Sequence, residues 1–584
     1  MEHVWSLDSV YRGFDDPAFS ADLECVKEKI AQFTALTKNL AAPTPLKVLR
    51  TGIALQEDIN ALAQKMTMYA SLRQYADSRD AQAQSQLGRL MGIFSAVAAP
   101  EAAFQEWAAA LPNLMELAES DEILKQYTFL FSKMKENSRY LLGSRGEEIM
   151  AKMQLSGGNA WVDLYNCLTS TATVSYRGNT INIPAVRNLA FDADPQVRRD
   201  AYAAELAAYE PIKEPVAYAL NSIKLETLSD CRLRGYESPL DRTLKESLVS
   251  RETLDAMLGA MDEYLPHFWR YLKAKAKALG HEGGLPWYDL FAPMGHTSTR
   301  FTPETAKDYL VEHFASFDQE MSDLVAKAFD EAWIDFFPRD GKCGGAFCEA
   351  VQCNKESRIL TNFDGTFSAV STLAHELGHA FHNECVFPHR ILNRDYSMPV
   401  AETASIFNEC LISASALKSA ADDAEKLAIL EASLHNDTQI ICDIYSRFRF
   451  ESMVFQHREE QFMNADMLCS FMTEAQKQSY GDGLDHNVLH PYMWVNKPHY
   501  YGPTFYNFPS AFGGLFARGL YAQYREEGAA FVPKYKKLLY TTPVATAEDA
   551  AKVAGIDLTD KSFWRAALQT IADEIDQFCA LLEE

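Results

Sequence analysis

The segment STLAHELGHAFH, residues 371–382, places three histidines and one glutamate within twelve residues. His375 and His379 stand four residues apart, so on a helix they project from the same face, one turn apart. Two imidazoles at this spacing can hold one tetrahedral zinc ion. Glu376 is offset from His375 by about 100° around the helix, which places a carboxylate beside the ligands, where it can accept a proton from water. The HExxH spacing therefore predicts a metal site with a general base.

A catalytic zinc site needs a third protein ligand. The linking stretch NECVFPHRILNRDYSMP contains two prolines and is not expected to form one helix. The stretch VAETASIFNECLISASALKSA follows with a helical pattern, and its Glu402 and Glu409 lie two turns apart on one face. Spacing alone leaves both glutamates open as the third ligand. Asp395 and Glu384 are weaker candidates, because Asp395 lies in the loop and Glu384 follows His379 too closely on the same helix.

Two further groups of potential ligands are not expected to bind this ion. His382 lies about 10 Å along the helix axis from His375, too far to share its ion. We predict that His382 supports the site from behind or lines the cleft, with an ordinary core histidine as the alternative. Cys343, Cys348 and Cys353 repeat every five residues, and on a strand this step alternates between faces, which disfavours a metal cluster.

The composition is that of a globular protein. The chain has 584 residues, of which 47% are hydrophobic and 23% are charged, enough for a large core and two or more subdomains. A formal charge of −25 argues against nucleic acid or an anionic membrane as the main partner. Eleven scattered cysteines are typical of reduced thiols rather than of a disulfide framework.

No targeting or membrane-spanning segment is expected from the sequence. The first residues lack a basic start followed by an apolar stretch, so no signal peptide is predicted. The longest apolar run, LMGIFSAVAAPEAAFQEWAAAL, is interrupted by Pro100, Glu101 and Glu106. We therefore expect a soluble, cytoplasmic protein that does not bind membranes.

Periodicity predicts a mainly helical chain with little sheet. The first third carries apolar residues at steps of three and four, and TATVSYRGNTINIPAV predicts a β-hairpin within residues 171–183. The stretches GGAFCEAVQ and SRILTNFDGT predict strands just before the HExxH helix. We place a domain boundary near residue 190, between an N-terminal helical domain (1–190) and a catalytic domain (191–584).

HELGHAFH, preceded by RILTNFDGTFSAVSTLA and followed by VAETASIFNECL, resembles the M3 metallopeptidases. The resemblance is closer to the oligoendopeptidase F branch than to thimet oligopeptidase and neurolysin. NSIKLETLSDCRLRGYESPLDRTL and NKPHYYGPTFYNFPSAFGG extend it over about residues 110–580. The resemblance implies a large, two-lobed, mainly α zincin-type metallopeptidase with a small β-sheet beside the active-site helix.

The resemblance also assigns roles that spacing left open. It implies one zinc ion per chain, held by His375, His379 and Glu402, with Glu376 as the general base. Glu409 then matches a second acidic position on the same helix, where it would be the partner of a ligand histidine.

A C-terminal loop supplies a histidine and tyrosines in the resembled family. The positions available here are His499 and Tyr506 as catalytic residues, with the Tyr506 hydroxyl as the preferred donor to the oxyanion, and Tyr501 for substrate binding. The loop carries Phe505 and Phe508 where related members often have tyrosines. The alternative is an aromatic-packed hairpin without a catalytic role.

The strand GGAFCEAV offers a way to bind an extended peptide. As an edge strand, its backbone at Gly345 and Ala346 would pair with the substrate, and Gly344 would permit close approach. The implied function is zinc-dependent endopeptidase cleavage of short, unfolded oligopeptides. The alternatives are an exopeptidase that removes C-terminal dipeptides and a non-catalytic helical peptide-binding protein.

Overall fold

The computed structural model describes residues 3–41, 44–295 and 299–583, and this part of the chain is mainly helical, as predicted. The helices before the first strand are α1 (Pro17–Thr37), α2 (Pro45–Ala76), α3 (Ala81–Phe94), α4 (Ala98–Ala110), α5 (Leu114–Glu119), α6 (Thr128–Asn137), α7 (Ser144–Ser156) and α8 (Gly158–Thr171). The next group is α9 (Ile183–Asn188), α10 (Pro195–Tyr209), α11 (Lys213–Arg234), α12 (Pro239–Ser247), α13 (Arg251–Ala278), α14 (Pro303–Ala315) and α15 (Gln319–Asp330). The last group is α16 (Phe367–Val386), α17 (Met398–Ala401), α18 (Thr403–Ser419), α19 (Asp423–Thr438), α20 (Ile444–Arg458), α21 (Ala465–Tyr480), α22 (Met493–Asn496), α23 (Phe508–Glu527), α24 (Val532–Thr541), α25 (Ala547–Lys552) and α26 (Lys561–Glu583).

The predicted hairpin is confirmed. Strands β1 (Thr173–Tyr176) and β2 (Asn179–Asn182) pair in antiparallel fashion. The two turn residues are Arg177 and Gly178, with φ of 49° and 82°. Two successive residues with positive φ are the signature of a type I′ turn, whose twist matches that of the strands it joins.

The two strands predicted before the HExxH helix are also present. Strands β3 (Ile334–Asp335), β4 (Phe347–Val351) and β5 (Glu356–Leu360) form a sheet in the order β3-β5-β4. Strand β4 pairs antiparallel with β5 and with no other described strand. GGAFCEAV therefore leads into an edge strand, which meets the condition under which its backbone could pair with a substrate.

The described residues form two hydrophobic cores. The first draws on residues 5–134, and the second draws on residues 165–578. The β4–β5 pair lies between them, because Val351 and Leu360 belong to the first core and Ile359 belongs to the second. The domain boundary at residue 190 stays a prediction.

One described stretch, Ala81–Ala110, is long and apolar enough by composition to cross a membrane, with a mean hydropathy of 1.2. A single such stretch is weak evidence, and here the 3₁₀ turn Ser95–Val97 separates it into α3 and α4. The expectation that the protein does not bind membranes stays a prediction.

Candidate metal centre

Helix α16 carries His375, Glu376 and His379, as the spacing predicts. Its first turn is capped by Thr366, whose hydroxyl accepts a hydrogen bond from the backbone N–H of Ala369 at 3.2 Å. The two imidazole rings have centroids 4.9 Å apart and planes at 80°. The predicted pair of histidines therefore lies on one helix face with the rings side by side.

Glu402 lies at the junction between α17 and α18 and points at both histidines. Its Oε2 atom is 3.3 Å from Nε2 of His375 and 3.5 Å from Nε2 of His379. Ligand atoms about 2.0–2.1 Å from a tetrahedral zinc ion are about 3.3–3.4 Å apart, so these separations fit a shared ion. Within residues 3–41, 44–295 and 299–583, no other group of three or more His, Cys, Asp or Glu side chains converges in this way.

Glu402 and Glu409, between which sequence spacing did not decide, make different contacts in the structure. Glu409 contacts the other ring nitrogen of His375, with Oε1 2.5 Å from Nδ1. A proton held on Nδ1 by this carboxylate leaves Nε2 of His375 free to face Glu402. Ser405 also donates a hydrogen bond to Oε2 of Glu402 at 2.7 Å, which fixes the carboxylate in place.

The charges of the site favour a cation at its centre. Burial lowers the pKa of His375, but hydrogen bonds with Glu402 and Glu409 outweigh burial and raise this pKa to about 10. Burial raises the pKa of Glu402, yet the two histidines hold it well below its usual range. The donor set therefore attracts positive charge strongly, and a divalent cation would supply it.

His375, His379 and Glu402 are called the metal group below. Glu376 lies beside this group as a buried carboxylate, 5% exposed. Burial raises its pKa, and the neighbouring His375 and His379 oppose this rise when they are charged. A carboxylate whose pKa is shifted upward by burial is a better proton acceptor than an exposed one.

Helices α16 and α18 approach each other closely at Gly378. A Cβ atom at this position would lie 2.5 Å from the carbonyl oxygen of Ala404 and 2.6 Å from Cα of Ser405. This contact explains the presence of a poor helix former inside HELGH. It also sets the distance between the two histidines and Glu402.

The metal group lies where two cavities meet. The smaller, of about 400 Å³, is lined by Ala346, Phe347, Cys348, Ala350, His375, Glu376, His379, Asn383, Tyr396 and Glu402. The larger, of about 700 Å³, begins at His375 and Glu402 and extends past Glu409. Strand β4 is thus one wall of the smaller cavity, and Ala346, which is predicted to bind substrate, also lines this cavity. Gly345 precedes it with φ of 79°, and its carbonyl accepts a hydrogen bond from Asn362 at 2.9 Å.

Residues 497–507, which we call the aromatic loop, carry the predicted His499, Tyr501 and Tyr506. The rings of His499 and Tyr506 stack, with centroids 5.1 Å apart and planes at 9°. Neither residue lines either of the two cavities that contain His375 and Glu402. Tyr501 is buried, and its hydroxyl donates a hydrogen bond to the carbonyl of Trp494 at 3.0 Å. The contacts of Tyr501 are therefore those of a core residue, in line with the alternative of an aromatic-packed loop.

A buried ionic cluster that the sequence did not reveal holds both ends of the aromatic loop. Arg447 forms an ion pair with Asp443 and donates a hydrogen bond to Oδ1 of Asn507 at 3.1 Å. Lys497 lies 3.6 Å from the same Asp443 carboxylate. Asp443 ends a π-helical turn, Gln439–Asp443, and such a turn has no period in the sequence that would predict it.

His382 lines neither cavity that contains the metal group, and its predicted supporting role stays a prediction beside the alternative of an ordinary core histidine. It is fully buried, and its ring stacks on Tyr396, with centroids 4.0 Å apart and planes at 5°. Tyr396 itself lines the smaller cavity beside the metal group and was not predicted as a site residue. Its only sequence signal is its place in the segment that links the HExxH helix to Glu402.

The sequence matches known families along most of its length. The profile of Peptidase family M3 matches residues 188–570, and the profile of Oligopeptidase F matches residues 98–173. The chain is 23% identical to Oligopeptidase PepF of Bacillus subtilis (strain 168), over 100% of this chain and 87% of the relative. It is 25% identical to Group B oligopeptidase PepB of Streptococcus agalactiae serotype III (strain NEM316), over 89% and 87% of the two chains.

The fold also matches solved structures. A crystal structure from Chlamydophila abortus superposes with a TM-score of 0.85 at 20% identity, covering 99% of this chain and 98% of the other. The oligoendopeptidase-F of Enterococcus faecium superposes with a TM-score of 0.73 at 17% identity, covering 97% and 98%. At these identities the likeness establishes the fold, which is the mainly helical fold with a small sheet expected from the sequence resemblance, and the two-lobed arrangement stays a prediction.

Proposed function

The chain belongs to peptidase family M3 and is a metalloendopeptidase, and from that premise we propose that one zinc ion and Glu376 together hydrolyse peptide bonds in short oligopeptides. The observation that carries the proposal is the convergence of three ligand atoms within 4.8 Å of one another, in a cavity that also contains Glu376. A site that only bound peptides would gain nothing from a general base beside the metal.

The proposed ligands are Nε2 of His375, Nε2 of His379 and a carboxylate oxygen of Glu402. The hydrogen bond between Glu409 and His375 supports this assignment, because it orients the ring and leaves Nε2 free. When bound, zinc supplies a Lewis acid that polarises the scissile carbonyl and lowers the pKa of a water molecule toward about 7. Three protein ligands leave a fourth position open, as in other catalytic zinc sites.

Glu376 is the proposed proton carrier. Its carboxylate accepts a proton from the attacking water and delivers this proton to the nitrogen of the leaving amine. Burial of the carboxylate supports both steps, since the raised pKa makes the protonated form accessible during the reaction. Strand β4 offers its free backbone edge to the peptide near Gly345 and Ala346, which gives affinity without strong sequence choice.

His499 and Tyr506 are retained as proposed catalytic residues of the aromatic loop. Their stacked rings would act as one unit, with the Tyr506 hydroxyl as a hydrogen-bond donor to the substrate.

Short, unfolded peptides are the proposed substrates, and the cytoplasm is the proposed location. Blocked-end peptides distinguish this proposal from C-terminal dipeptide removal, because an endopeptidase does not require a free terminus.

The decisive experiment combines metal analysis with a fluorogenic oligopeptide blocked at both ends. The wild-type protein should contain about one zinc ion per chain and cleave the peptide internally. Glu376→Gln should retain zinc and lose about a hundredfold or more in kcat, because general-base catalysis typically contributes about 10²–10⁴-fold. Glu384→Gln is the matched control, since Glu384 is an exposed glutamate on the same helix.

Two results would contradict the proposal. If Glu376→Gln cleaved the peptide as fast as the wild type, Glu376 would not be the general base. If the wild type contained no metal and cleaved no blocked peptide, the zinc-dependent mechanism would be wrong.

A further inference from the structure

Tyr396 lies where the smaller cavity of the metal group meets two neighbouring cavities. It belongs to residues 387–402, which we call the bridging segment because they connect α16 to Glu402. Its side chain lines the 400 Å³ cavity that contains both proposed ligand histidines and Glu376. It also lines two neighbouring cavities, one of about 420 Å³ and one of about 730 Å³. An extended peptide at the metal group would therefore pass this phenol.

The ring of Tyr396 is fixed from behind by His382. The two rings are nearly parallel, at 5°, with centroids 4.0 Å apart. Nε2 of His382 lies 2.8 Å from the hydroxyl oxygen of Thr542, and this hydroxyl donates its own hydrogen to the carbonyl of Leu539 at 2.8 Å. The hydroxyl must then accept from His382, so the imidazole carries its hydrogen on Nε2 and its orientation is determined.

The hydroxyl of Tyr396 is left available although the ring is held. No group in the described ranges of the chain forms a hydrogen bond with this oxygen. The oxygen is also not fully buried, so a substrate group can reach it. Tyr501 differs in this respect, because its hydroxyl is spent on the carbonyl of Trp494. A rigid ring with a free donor beside a metal group is the arrangement that stabilises a developing oxyanion.

We propose that Tyr396 is a catalytic residue whose hydroxyl donates a hydrogen bond to the carbonyl oxygen of the scissile peptide, and that His382 is the residue that positions its ring. As the water oxygen bonds to the carbonyl carbon, the π electron pair moves onto the carbonyl oxygen, and it returns when the bond to the amine breaks. Tyr396 keeps its proton throughout, while Glu376 moves the proton of the water. The inference rests on the proposed function, because it requires a peptide bond at the metal group.

The test of Tyr396 is the variant Tyr396→Phe, which removes the hydroxyl and keeps the stacked ring. Bound zinc, melting temperature, kcat and KM are measured on the blocked fluorogenic peptide. We expect about one zinc per chain, an unchanged melting temperature and a fall in kcat of about 10²–10³-fold, the usual cost of losing one oxyanion donor. KM should change by less than about threefold, because the hydrogen bond strengthens in the transition state.

Tyr540→Phe is the matched control. Tyr540 also stacks on a histidine, His389, with centroids 4.0 Å apart, but it lies outside the cavities that contain the metal group. It should keep wild-type kinetics. If the kcat of Tyr396→Phe stayed within about twofold of the wild-type value, the inference would be overturned. A loss of zinc in Tyr396→Phe would also overturn it, because Tyr396 would then belong to the metal site itself. A wild type without zinc or cleavage would instead overturn the proposed function and this inference together.

The role of His382 is tested by a double-mutant cycle. His382→Phe keeps an aromatic ring and loses the hydrogen bond to Thr542. It should lower kcat about tenfold in the wild-type background and have little effect in the Tyr396→Phe background, because there is no hydroxyl left to position. Equal effects in both backgrounds would show that His382 acts on structure alone and would overturn its positioning role.

Discussion

The bridging segment and the aromatic loop both carry tyrosines, and they use their polar groups in opposite ways. The bridging segment reaches out to the first core, where Arg390 donates two hydrogen bonds to Glu57, at 2.6 and 2.7 Å. The aromatic loop packs into the second core, where the ring of Tyr501 stacks on Tyr165 with centroids 3.6 Å apart. Outward anchoring by an arginine leaves the hydroxyl of Tyr396 free, whereas inward packing consumes the hydroxyl of Tyr501.

A high number of aromatic residues in a segment does not by itself locate a site. The aromatic loop looks richer in candidate residues, yet the 400 Å³ cavity that contains the metal group is lined by Tyr396 of the bridging segment and by no residue of the aromatic loop. A functional hydroxyl must be held by its ring and left unpaired at its oxygen, and that combination is seen at Tyr396. The predictions that follow test whether the bridging segment carries more of the chemistry than the aromatic loop.

The largest effect is expected at Glu402, the end of the bridging segment. Glu402→Gln removes the negative charge that faces both histidines, so we expect loss of zinc on dialysis and cleavage at the assay background. Glu409→Gln is the matched comparison on the same helix, and it should weaken zinc binding by about 10–100-fold while retaining activity at saturating zinc. Zinc titration with parallel activity measurements checks both variants. Tighter zinc binding by Glu402→Gln than by Glu409→Gln would exchange the two roles.

Arg447 holds the aromatic loop and Arg390 holds the bridging segment. We expect loss of Arg447 to lower stability more, and loss of Arg390 to lower kcat more. Arg447→Met leaves the buried Asp443 carboxylate short of a partner and should lower the free energy of unfolding by about 3–5 kcal/mol. Arg390→Met removes a partly buried ion pair worth about 1 kcal/mol, but it frees the segment that carries Tyr396, so kcat should fall about tenfold.

Urea unfolding and steady-state kinetics measure the two quantities. Arg449→Met is the control, because Arg449 lies on the same helix as Arg447 and its described hydrogen bond is to the exposed Gln478. If the folded Arg447→Met protein lost more kcat than Arg390→Met, the aromatic loop would be the more important segment for the chemistry.

A smaller effect on stability is expected where α16 meets α18. Gly378→Ala places a Cβ against the backbone of Ala404 and Ser405 and should cost about 1–3 kcal/mol, with a loss of zinc affinity as Glu402 is pushed away. Gly88→Ala in α3 meets no atom within 4 Å and should stabilise the protein by up to about 1 kcal/mol. Thermal unfolding of both variants checks the pair. A neutral Gly378→Ala would mean that the two helices can separate without cost.

The elements with a clear period could be predicted from the sequence. The HExxH helix, the hairpin near Gly178 and strand β4 before α16 each follow from side-chain spacing or turn chemistry, which are local properties. The choice between Glu402 and Glu409 could not be predicted, because their spacing places both on one face of the helix expected after Pro399. Their different contacts depend on how α18 crosses α16, which is a tertiary property.

Tyr396 and the Asp443 cluster lay beyond sequence reasoning for the same physical reason. The bridging segment has no regular period, so nothing in its sequence fixes the direction of the Tyr396 side chain. The π-helical turn that presents Asp443 to Arg447 adds a residue to the helix period, and no local signal predicts this insertion. Both features become visible only when distant elements are packed together.

The smallest expected effect is a pH dependence of stability that arises behind Tyr396. Burial, together with the nearby His379, lowers the pKa of His382 to about 3, from about 6.5 in the unfolded chain. The folded state therefore keeps His382 neutral, and its contribution to stability is complete above pH 6.5 and is lost progressively as the pH falls from 6.5 toward 3. Between pH 7 and pH 5.5 the loss is about 1 kcal/mol.

Urea unfolding of the wild type and of His382→Phe at these two pH values isolates this contribution, because the variant lacks the titrating group. The free energy of unfolding should fall about 1 kcal/mol less in His382→Phe than in the wild type. An equal fall in both proteins would mean that the folded state accepts a proton on His382. Tyr396 would then rest on an imidazolium that can also donate from Nδ1, and the bridging segment would lose the neutral, fixed support that distinguishes it from the aromatic loop.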